Sequence, residues 1–180
     1  MAMKFLQDSK VALFFSGLSG KEKGGAVAFL AAVLLGSFVP GHFIVSISNS
    51  LDKRVFFLTA LNRDKIKNGD YLVFKGEVES TSFGKPTLNK GLDRVIKKVG
   101  CAPGEALVRH DGGEFSCQGA ALGKALETDS LKRPLPQFNF SGTVPADSYF
   151  MIGDNPRSFD SKYFGFIHAD QMLHKALPLL

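Results

Sequence analysis

Gly153–Gly165 reads Gly-Asp-Asn-Pro-Arg-Ser-Phe-Asp-Ser-Lys-Tyr-Phe-Gly. An ordinary surface loop seldom brings a Gly-Asp-Asn turn, a Ser-x-Asp-Ser-Lys run and an aromatic-Gly stop into 13 residues. The flanking segments Ser148–Gly153 and Gly165–His168 each predict a short strand. The chain is therefore expected to turn at Gly153-Asp154-Asn155 and to bring the polar side chains of this stretch together between two strands. We call Gly153–Gly165 the Gly153 box.

The Gly153 box resembles the last conserved motif of the signal peptidase I superfamily, the membrane-bound S26-type serine peptidases with a Ser/Lys dyad. The resemblance implies that the Ser158 hydroxyl orients the lysine amine and that Asp160 and Lys162 form an ion pair behind the site. Lys162 stands where arginine is more usual. The sequence of Ser158–Gly165 resembles the TraF branch, the pilin-processing peptidases of conjugative transfer systems, more than it resembles the general signal peptidase pattern.

A second motif, Val95–Glu105, reads Val-Ile-Lys-Lys-Val-Gly-Cys-Ala-Pro-Gly-Glu and resembles the family's lysine strand and its following turn. The resemblance implies that Lys97 is the general base. Alternation along a strand sends Lys97 and Lys98 to opposite faces, one inward and one to solvent. Burial disfavours an ammonium, so an inward lysine has a lowered pKa and can accept a proton. Without the other motifs, two solvated strand lysines would be the preferred interpretation.

A third motif, Ser48-Asn49-Ser50-Leu51, resembles the family's Ser-x-Ser-Met, with Leu51 in place of Met. The resemblance implies that Ser50 is the nucleophile and that the Ser48 hydroxyl belongs to the oxyanion hole. Asp52-Lys53 replaces the proline and small residue that usually follow. Taken alone, two serines at a strand end are an ordinary feature.

The segment preceding these serines is strongly apolar, and Gly24–Leu51 contains no Asp, Glu, Lys or Arg. A transmembrane helix, a cleavable secretion signal and a buried core helix are the three interpretations. The segment is apolar all round and lacks an Ala-x-Ala cleavage pattern before Pro40, which favours a retained anchor over residues 24–43. A helix over Gly24–Val39 alone spans about 24 Å, less than a hydrocarbon core of roughly 30 Å.

The basic residues that precede this anchor set its orientation; they are Lys4, Lys10, Lys21 and Lys23. Because the positive side stays in the cytoplasm, we expect residues 1–23 to be cytoplasmic and residues 44–180 to form an exported, periplasmic domain. The expected location is therefore the inner membrane, crossed once.

The exported part predicts a mainly-β domain of several twisted sheets, and the family resemblance implies a signal-peptidase/LexA-like fold. The predicted strands are Phe43–Ser48, Arg54–Leu58, Asp70–Lys75, Arg94–Val99, Ala106–Arg109, Glu114–Gln118 and the two beside the Gly153 box. Only Asp170–Leu177 predicts a helix. Gly76–Lys90 and Gly119–Ser141 look like insertions, for which either a mobile loop or part of a substrate groove is possible.

Composition excludes several classes of function. The chain has 180 residues with 44% apolar content and a net charge of +5, and its Lys and Arg are scattered. A multi-span membrane protein and a nucleic-acid-binding protein are therefore disfavoured. No metal-site spacing or nucleotide-binding motif is present, so no cofactor or metal is expected. Cys101 and Cys117 can form a disulfide if the domain is exported, and the alternative is two unpaired thiols that serve as small apolar side chains.

Together the motifs imply a membrane-anchored serine endopeptidase that cleaves exported precursor proteins. Resemblance to the TraF branch implies a pilin precursor in conjugative transfer, either hydrolysed or cyclised. Two alternatives stay open: a general signal peptidase I with broad substrates, and a catalytically silent assembly factor of a secretion channel.

Overall fold

The computed structural model describes residues 19–75 and 94–180. The predicted insertion Gly76–Lys90 lies outside these residues, as do Lys4 and Lys10. The helices and strands are α1 (Gly20–His42), β1 (Phe43–Val45), β2 (Val55–Thr59), β3 (Tyr71–Lys75), β4 (Arg94–Cys101), β5 (Ala106–Arg109), β6 (Glu114–Cys117), β7 (Ala120–Lys124), β8 (Gly142–Thr143), β9 (Ser148–Ile152), α2 (Ser161–Phe164), β10 (Ile167–His168) and β11 (Met172–Pro178). Arg63–Lys65 and Ala169–Gln171 form short 3₁₀ turns.

The chain divides into two units with a boundary between His42 and Phe43. In the first unit, α1 covers most of the predicted anchor 24–43 and exposes large apolar side chains such as Phe29 and Leu34. Across residues 19–75 and 94–180, no helix combines the length and the apolar content that a membrane crossing requires.

The second unit contains two antiparallel sheets. In the described part of the chain, one has seven strands in the order β1-β2-β11-β3-β4-β9-β10, and the other has four in the order β7-β6-β5-β8. The prediction of a mainly-β domain is confirmed, and most predicted strands lie within two residues of the observed ones. The chain leaves the seven-stranded sheet at the end of β4, turns after Cys101 and enters the four-stranded sheet at β5. Pro103-Gly104 is a residue pair typical of such a turn.

The central strands of the seven-stranded sheet are buried on both faces, because apolar side chains project from each face of these strands. On β3, Leu72 and Phe74 pack into one cluster, whereas Val73 packs with Phe56 and Ile96 into another. A third cluster joins the two sheets. This double burial explains why β4 can hold a charged side chain deep in the domain.

The C-terminal prediction of a helix over Asp170–Leu177 is wrong. Met172–Pro178 is strand β11, which pairs antiparallel with β2 on one side and β3 on the other. Its mixed apolar and polar residues fit either periodicity over so short a span. The two neighbouring strands supply backbone partners along its length, and this tertiary pairing overrides the local helical pattern.

The second predicted insertion, Gly119–Ser141, is an ordered part of the core in this structure. It begins with β7, and its Phe138 and Phe140 then pack against the cluster that contains Phe150. Cys101 and Cys117 form a disulfide that joins the end of β4 to the end of β6. The bridge therefore ties the seven-stranded sheet to the four-stranded sheet.

Candidate active site

The two serines of the third motif lie in the turn that follows β1. Their hydroxyl oxygens are 2.8 Å apart. Leu51, the next residue, is buried with Phe56 and Ile96 and so fixes the end of the turn in the core. The Ser50 carbonyl accepts hydrogen bonds from the backbone amides of Asp154 (2.8 Å) and Asn155 (3.2 Å). The Ser50 turn is thus held from one side by the apolar core and from the other by the Gly153 box.

Lys97 lies in the middle of β4, and only 4% of it is exposed. Its Nζ donates a hydrogen bond of 2.7 Å to Ser158 Oγ. Burial lowers the pKa of Lys97 to about 8, an effect opposed by the negative charge of Asp160 and reinforced by the positive charge of Lys162. A substantial fraction of the amine is therefore neutral at mildly alkaline pH, as a general base requires.

Lys98 points to the opposite face of β4, as the alternation predicted, but it is not a freely solvated side chain. Its ammonium forms an ion pair with Asp154, and 28% of its side chain is exposed. The Asp154 carboxylate also accepts a hydrogen bond of 3.2 Å from the Asp52 amide. Asp154 therefore connects β4 to the turn that carries Ser50.

Asp154 is the residue whose role the sequence analysis missed, since it was assigned only to a turn. The register between strands β4 and β9 shows why Asp154 reaches this position. Lys98 pairs with Ile152 across β4 and β9, so a carboxylate two residues beyond Ile152 falls within reach of the lysine ammonium. The same contact positions the Asp52 amide, which belongs to the pair of residues that departs from the family pattern.

Ser158 is held in place by an unusually close approach of the backbone at Gly153. A Cβ atom at residue 153 would overlap Ser158 Oγ and lie 2.6 Å from the Ser50 carbonyl oxygen. Only glycine leaves room for the Ser158 side chain and the Ser50 carbonyl on the same side of the chain. The Ser158 amide in turn donates to the Asn155 carbonyl at 2.8 Å.

Asp160 and Lys162 form an ion pair with an Nζ–Oδ2 distance of 2.6 Å, and both side chains are almost completely buried. Asp160 Oδ2 also accepts from the Gly153 amide (3.0 Å), while Oδ1 accepts from the Lys162 amide (3.1 Å) at the start of α2. These additional donors satisfy the carboxylate, as a buried charge requires. The pair links the first and last parts of the Gly153 box.

A cavity of about 700 Å³ brings the predicted residues together. Ser48, Ser50, Lys97 and Ser158 all line it. Asp160 and Lys162 do not line the cavity but lie behind it. Among the described residues, no hydrogen bond joins Ser50 Oγ to Lys97 Nζ, whose bond goes to Ser158. Catalytic hydrogen bonds are often incomplete before substrate binds, so the absence of this one does not exclude a dyad.

A possible metal-binding group lies away from this cavity. The ligand atoms of Cys101, Glu105 and Cys117 fall within 4.8 Å of one another. Because the two sulfur atoms are bonded to each other, neither is a thiolate, and thiolate is the form that binds metal. We therefore assign no metal to this group.

The cavity therefore brings a buried lysine amine together with several serine hydroxyls. The chain belongs to the signal peptidase, peptidase S26, family, whose model matches residues 23–179. Signal peptidase I from Leptolyngbya laminosa is 26% identical over 142 residues, which are 78% of this chain and 65% of that protein. The chain thus spans about two thirds of the length of this curated relative. A crystal structure of signal peptidase I from Enterococcus faecalis V583 aligns with a TM-score of 0.37 and 25% identity, covering 62% of this chain and 96% of that one.

Proposed function

We propose that this chain is a membrane-anchored serine endopeptidase in which Ser50 is the nucleophile and Lys97 the general base. One observation carries the proposal: the Lys97 amine is buried, has a pKa of about 8, and lines the same cavity as Ser50. Membership of the S26 family, whose members are serine peptidases, supports the same chemistry.

In the proposed mechanism, neutral Lys97 removes the proton from Ser50 Oγ as this oxygen attacks the scissile carbonyl carbon. The C–N bond then breaks, the acyl group stays on Ser50, and the Lys97 ammonium gives its proton to the leaving amine. Water, deprotonated by the same lysine, next attacks the acyl-enzyme and releases the acid. As the acyl–oxygen bond breaks, the Lys97 ammonium gives this proton to Ser50 Oγ, and the serine hydroxyl and the neutral amine are both restored.

Ser48 and Ser158 have supporting roles in this mechanism. The Ser48 hydroxyl, 2.8 Å from Ser50 Oγ, is near enough to donate to the oxyanion that forms on the substrate carbonyl. A donor of this kind typically stabilises the transition state by about 3 kcal/mol. Ser158 holds the lysine amine, and the Asp160–Lys162 ion pair keeps the backbone beneath Ser158 in place.

The proposed substrates are exported precursor proteins, which is consistent with the name signal peptidase I carried by the Leptolyngbya relative. We also propose that residues 24–43 anchor the chain in the inner membrane and that residues 44–180 lie in the periplasm. The uncharged segment and the basic residues before it support this orientation. An alkaline phosphatase fusion after Leu180 should be active, and protease added to spheroplasts should degrade the domain.

Within this class we favour a TraF-like role, the maturation of a pilin precursor in conjugative transfer. The similarity of the Ser158–Gly165 sequence to that branch supports this role. If the acyl-enzyme is attacked by the substrate's own amino terminus instead of water, the product is a cyclic pilin. A general signal peptidase I is the second candidate, supported by the curated relative. Depletion of the protein separates the two: loss of conjugation alone indicates the pilin role, and loss of viability indicates the general one.

Precursor processing in cells tests the enzymatic proposal. Ser50→Ala, Lys97→Ala and Lys97→Arg should each leave the precursor uncleaved, the last because an arginine stays charged and cannot act as base. Ser130→Ala and Lys124→Ala are matched controls, since both residues are exposed and far along the chain from the cavity. Normal processing in both Ser50→Ala and Lys97→Ala would refute the peptidase and leave a catalytically silent assembly factor.

A further inference from the structure

The cavity that holds Ser50 and Lys97 has an asymmetric charge. Three cationic residues line it, Arg94, Lys97 and Arg157, and among the described residues that line it none is Asp or Glu. A cleft lined by charges of one sign focuses the electric field and attracts ligands of the opposite sign. Because Lys97 is neutral when it acts as base, the two arginine guanidinium groups supply the positive charge of the cavity.

Neither arginine is neutralised by a carboxylate in the described part of the chain. Every described ion pair involves another cation: Lys98, Arg133, Lys162 or Lys175. Arg94 and Arg157 are both exposed, and both contribute to the cavity wall. Two arginines that line a cavity and have no carboxylate partner within residues 19–75 and 94–180 are available to an incoming carboxylate, which a guanidinium group can bind in bidentate fashion.

The two arginines occupy different places along the chain relative to the reacting groups. Arg157 immediately precedes Ser158, the hydrogen-bond acceptor of Lys97 Nζ. Arg94 is three residues before Lys97 on β4, a separation of about 10 Å along a strand. An extended peptide rises by about the same amount over three residues, so a substrate that runs alongside β4 meets Arg94 about three residues away from Lys97.

We propose that Arg94 and Arg157 select substrates that carry a carboxylate within about three residues of the scissile bond. This inference rests on the proposed peptidase function and specifies the class of its substrate, an acidic peptide segment. Arg157 binds a carboxylate next to the scissile bond, and Arg94 binds one farther from it. Two sources share this chemistry: an Asp or Glu side chain and the terminal carboxylate of a short polypeptide end.

A set of matched fluorogenic peptides tests the proposal with the full-length protein in detergent. Each peptide carries Glu, Gln or Lys at one of the three positions on either side of the scissile bond. For at least one position we expect kcat/KM to fall in the order Glu, Gln, Lys, with Glu about five- to tenfold above Gln at low salt and less at high salt. Peptides that end at the same position as a free acid or as an amide distinguish a terminal carboxylate from a side chain.

The arginine variants connect the preference to the cavity. Arg94→Gln and Arg157→Gln should each bring the Glu/Gln ratio close to one at a different position, and Arg157→Glu should make the Lys peptide the better substrate. Arg133→Gln is the matched control, because this exposed arginine pairs with Asp129 away from the cavity and should leave the ratio unchanged.

The inference can fail separately from the peptidase function. Equal turnover of the three peptides, or a Glu preference that survives the double Arg94→Gln/Arg157→Gln change, overturns the inference while the peptidase stands. If wild-type protein cleaves none of them, the peptidase proposal fails, and the binding affinities of Ser50→Ala for the same peptides decide the inference. A variant that loses only its binding to phosphatidylglycerol vesicles would assign the arginines to the membrane surface and would also overturn it.

Discussion

Replacement of Lys97 by methionine should abolish activity and at the same time stabilise the fold at neutral pH. An ordinary lysine has a pKa of about 10.4, whereas burial lowers that of Lys97 to about 8. At 1.36 kcal/mol per pKa unit, the buried ammonium destabilises the folded state by about 3 kcal/mol. Methionine removes this charge and keeps a similar volume, but it gives up the hydrogen bond to Ser158, at a cost of about 1 kcal/mol. The expected net gain is about 2 kcal/mol.

The stability that Lys97→Met gains over wild type should depend on pH. Below pH 8 the lysine is protonated in both the folded and the unfolded chain, so the full destabilisation is present. Between pH 8 and about 10.4 the unfolded chain keeps the proton and the folded chain has lost it, so wild-type stability rises with pH. The advantage of Lys97→Met should therefore be largest at pH 7 and should vanish near pH 10.

Urea unfolding of full-length wild-type protein and Lys97→Met, followed at several pH values, measures this difference. Lys124→Met is the control, because Lys124 is exposed and should give no pH-dependent difference. A Lys97→Met protein that is less stable than wild type at pH 7, or a difference that does not change between pH 7 and 10, would refute the reasoning. Lys97 would then be a structural lysine that stabilises the fold as an ammonium.

Three further predictions concern the residues that hold the site together. Gly153→Ala should lower kcat by about a hundredfold, because the new methyl group displaces Ser158 and the Ser50 carbonyl. Gly100→Ala, whose methyl group would meet the side chain of Ile152 most closely, should lose stability while keeping its kcat, and equal kinetics in the two variants would contradict this account. Asp154→Asn should lower kcat about tenfold with little change in KM, because it removes the ion pair with Lys98 on β4 that fixes Asp154 against the Ser50 turn. Unchanged steady-state kinetics would show that this ion pair is dispensable. Reduction of the disulfide, or its removal by Cys117→Ser, should lower the free energy of unfolding by about 3 kcal/mol, and an unchanged urea midpoint would argue against the bridge.

The strands that were predicted best are those whose residues specify their own environment. The centre of Tyr71–Lys75, Leu72-Val73-Phe74, is a run of large apolar residues, and it is buried on both faces of the sheet as such a run requires. Met172–Pro178 was predicted wrongly, because its residues are compatible with a helix and only its two neighbouring strands make it β. Local sequence carries no information about those partners.

The candidate site follows the same division. The alternation along β4 predicted that the two lysines face opposite sides of the strand, because strand geometry is local, but that Lys97 is the buried one was inferred from the family resemblance. The Lys97–Ser158 hydrogen bond joins residues 61 positions apart, and it was inferred from resemblance rather than from pattern. Asp154 was missed for a related reason: its contacts with Lys98 and Asp52 depend on the register between β4 and β9, which is set by pairing across the sheet.

The central claim, that neutral Lys97 activates Ser50, is tested most directly by the pH dependence of acylation. The full-length protein is treated with a serine-directed acylating substrate analogue, and intact-mass and peptide mapping follow the adduct between pH 6 and 10. The account predicts a single adduct on Ser50 whose formation rate rises through one ionisation with a midpoint near 8, and no adduct in Lys97→Met. An adduct on another residue, or a rate on Ser50 that is independent of pH over this range, would contradict it.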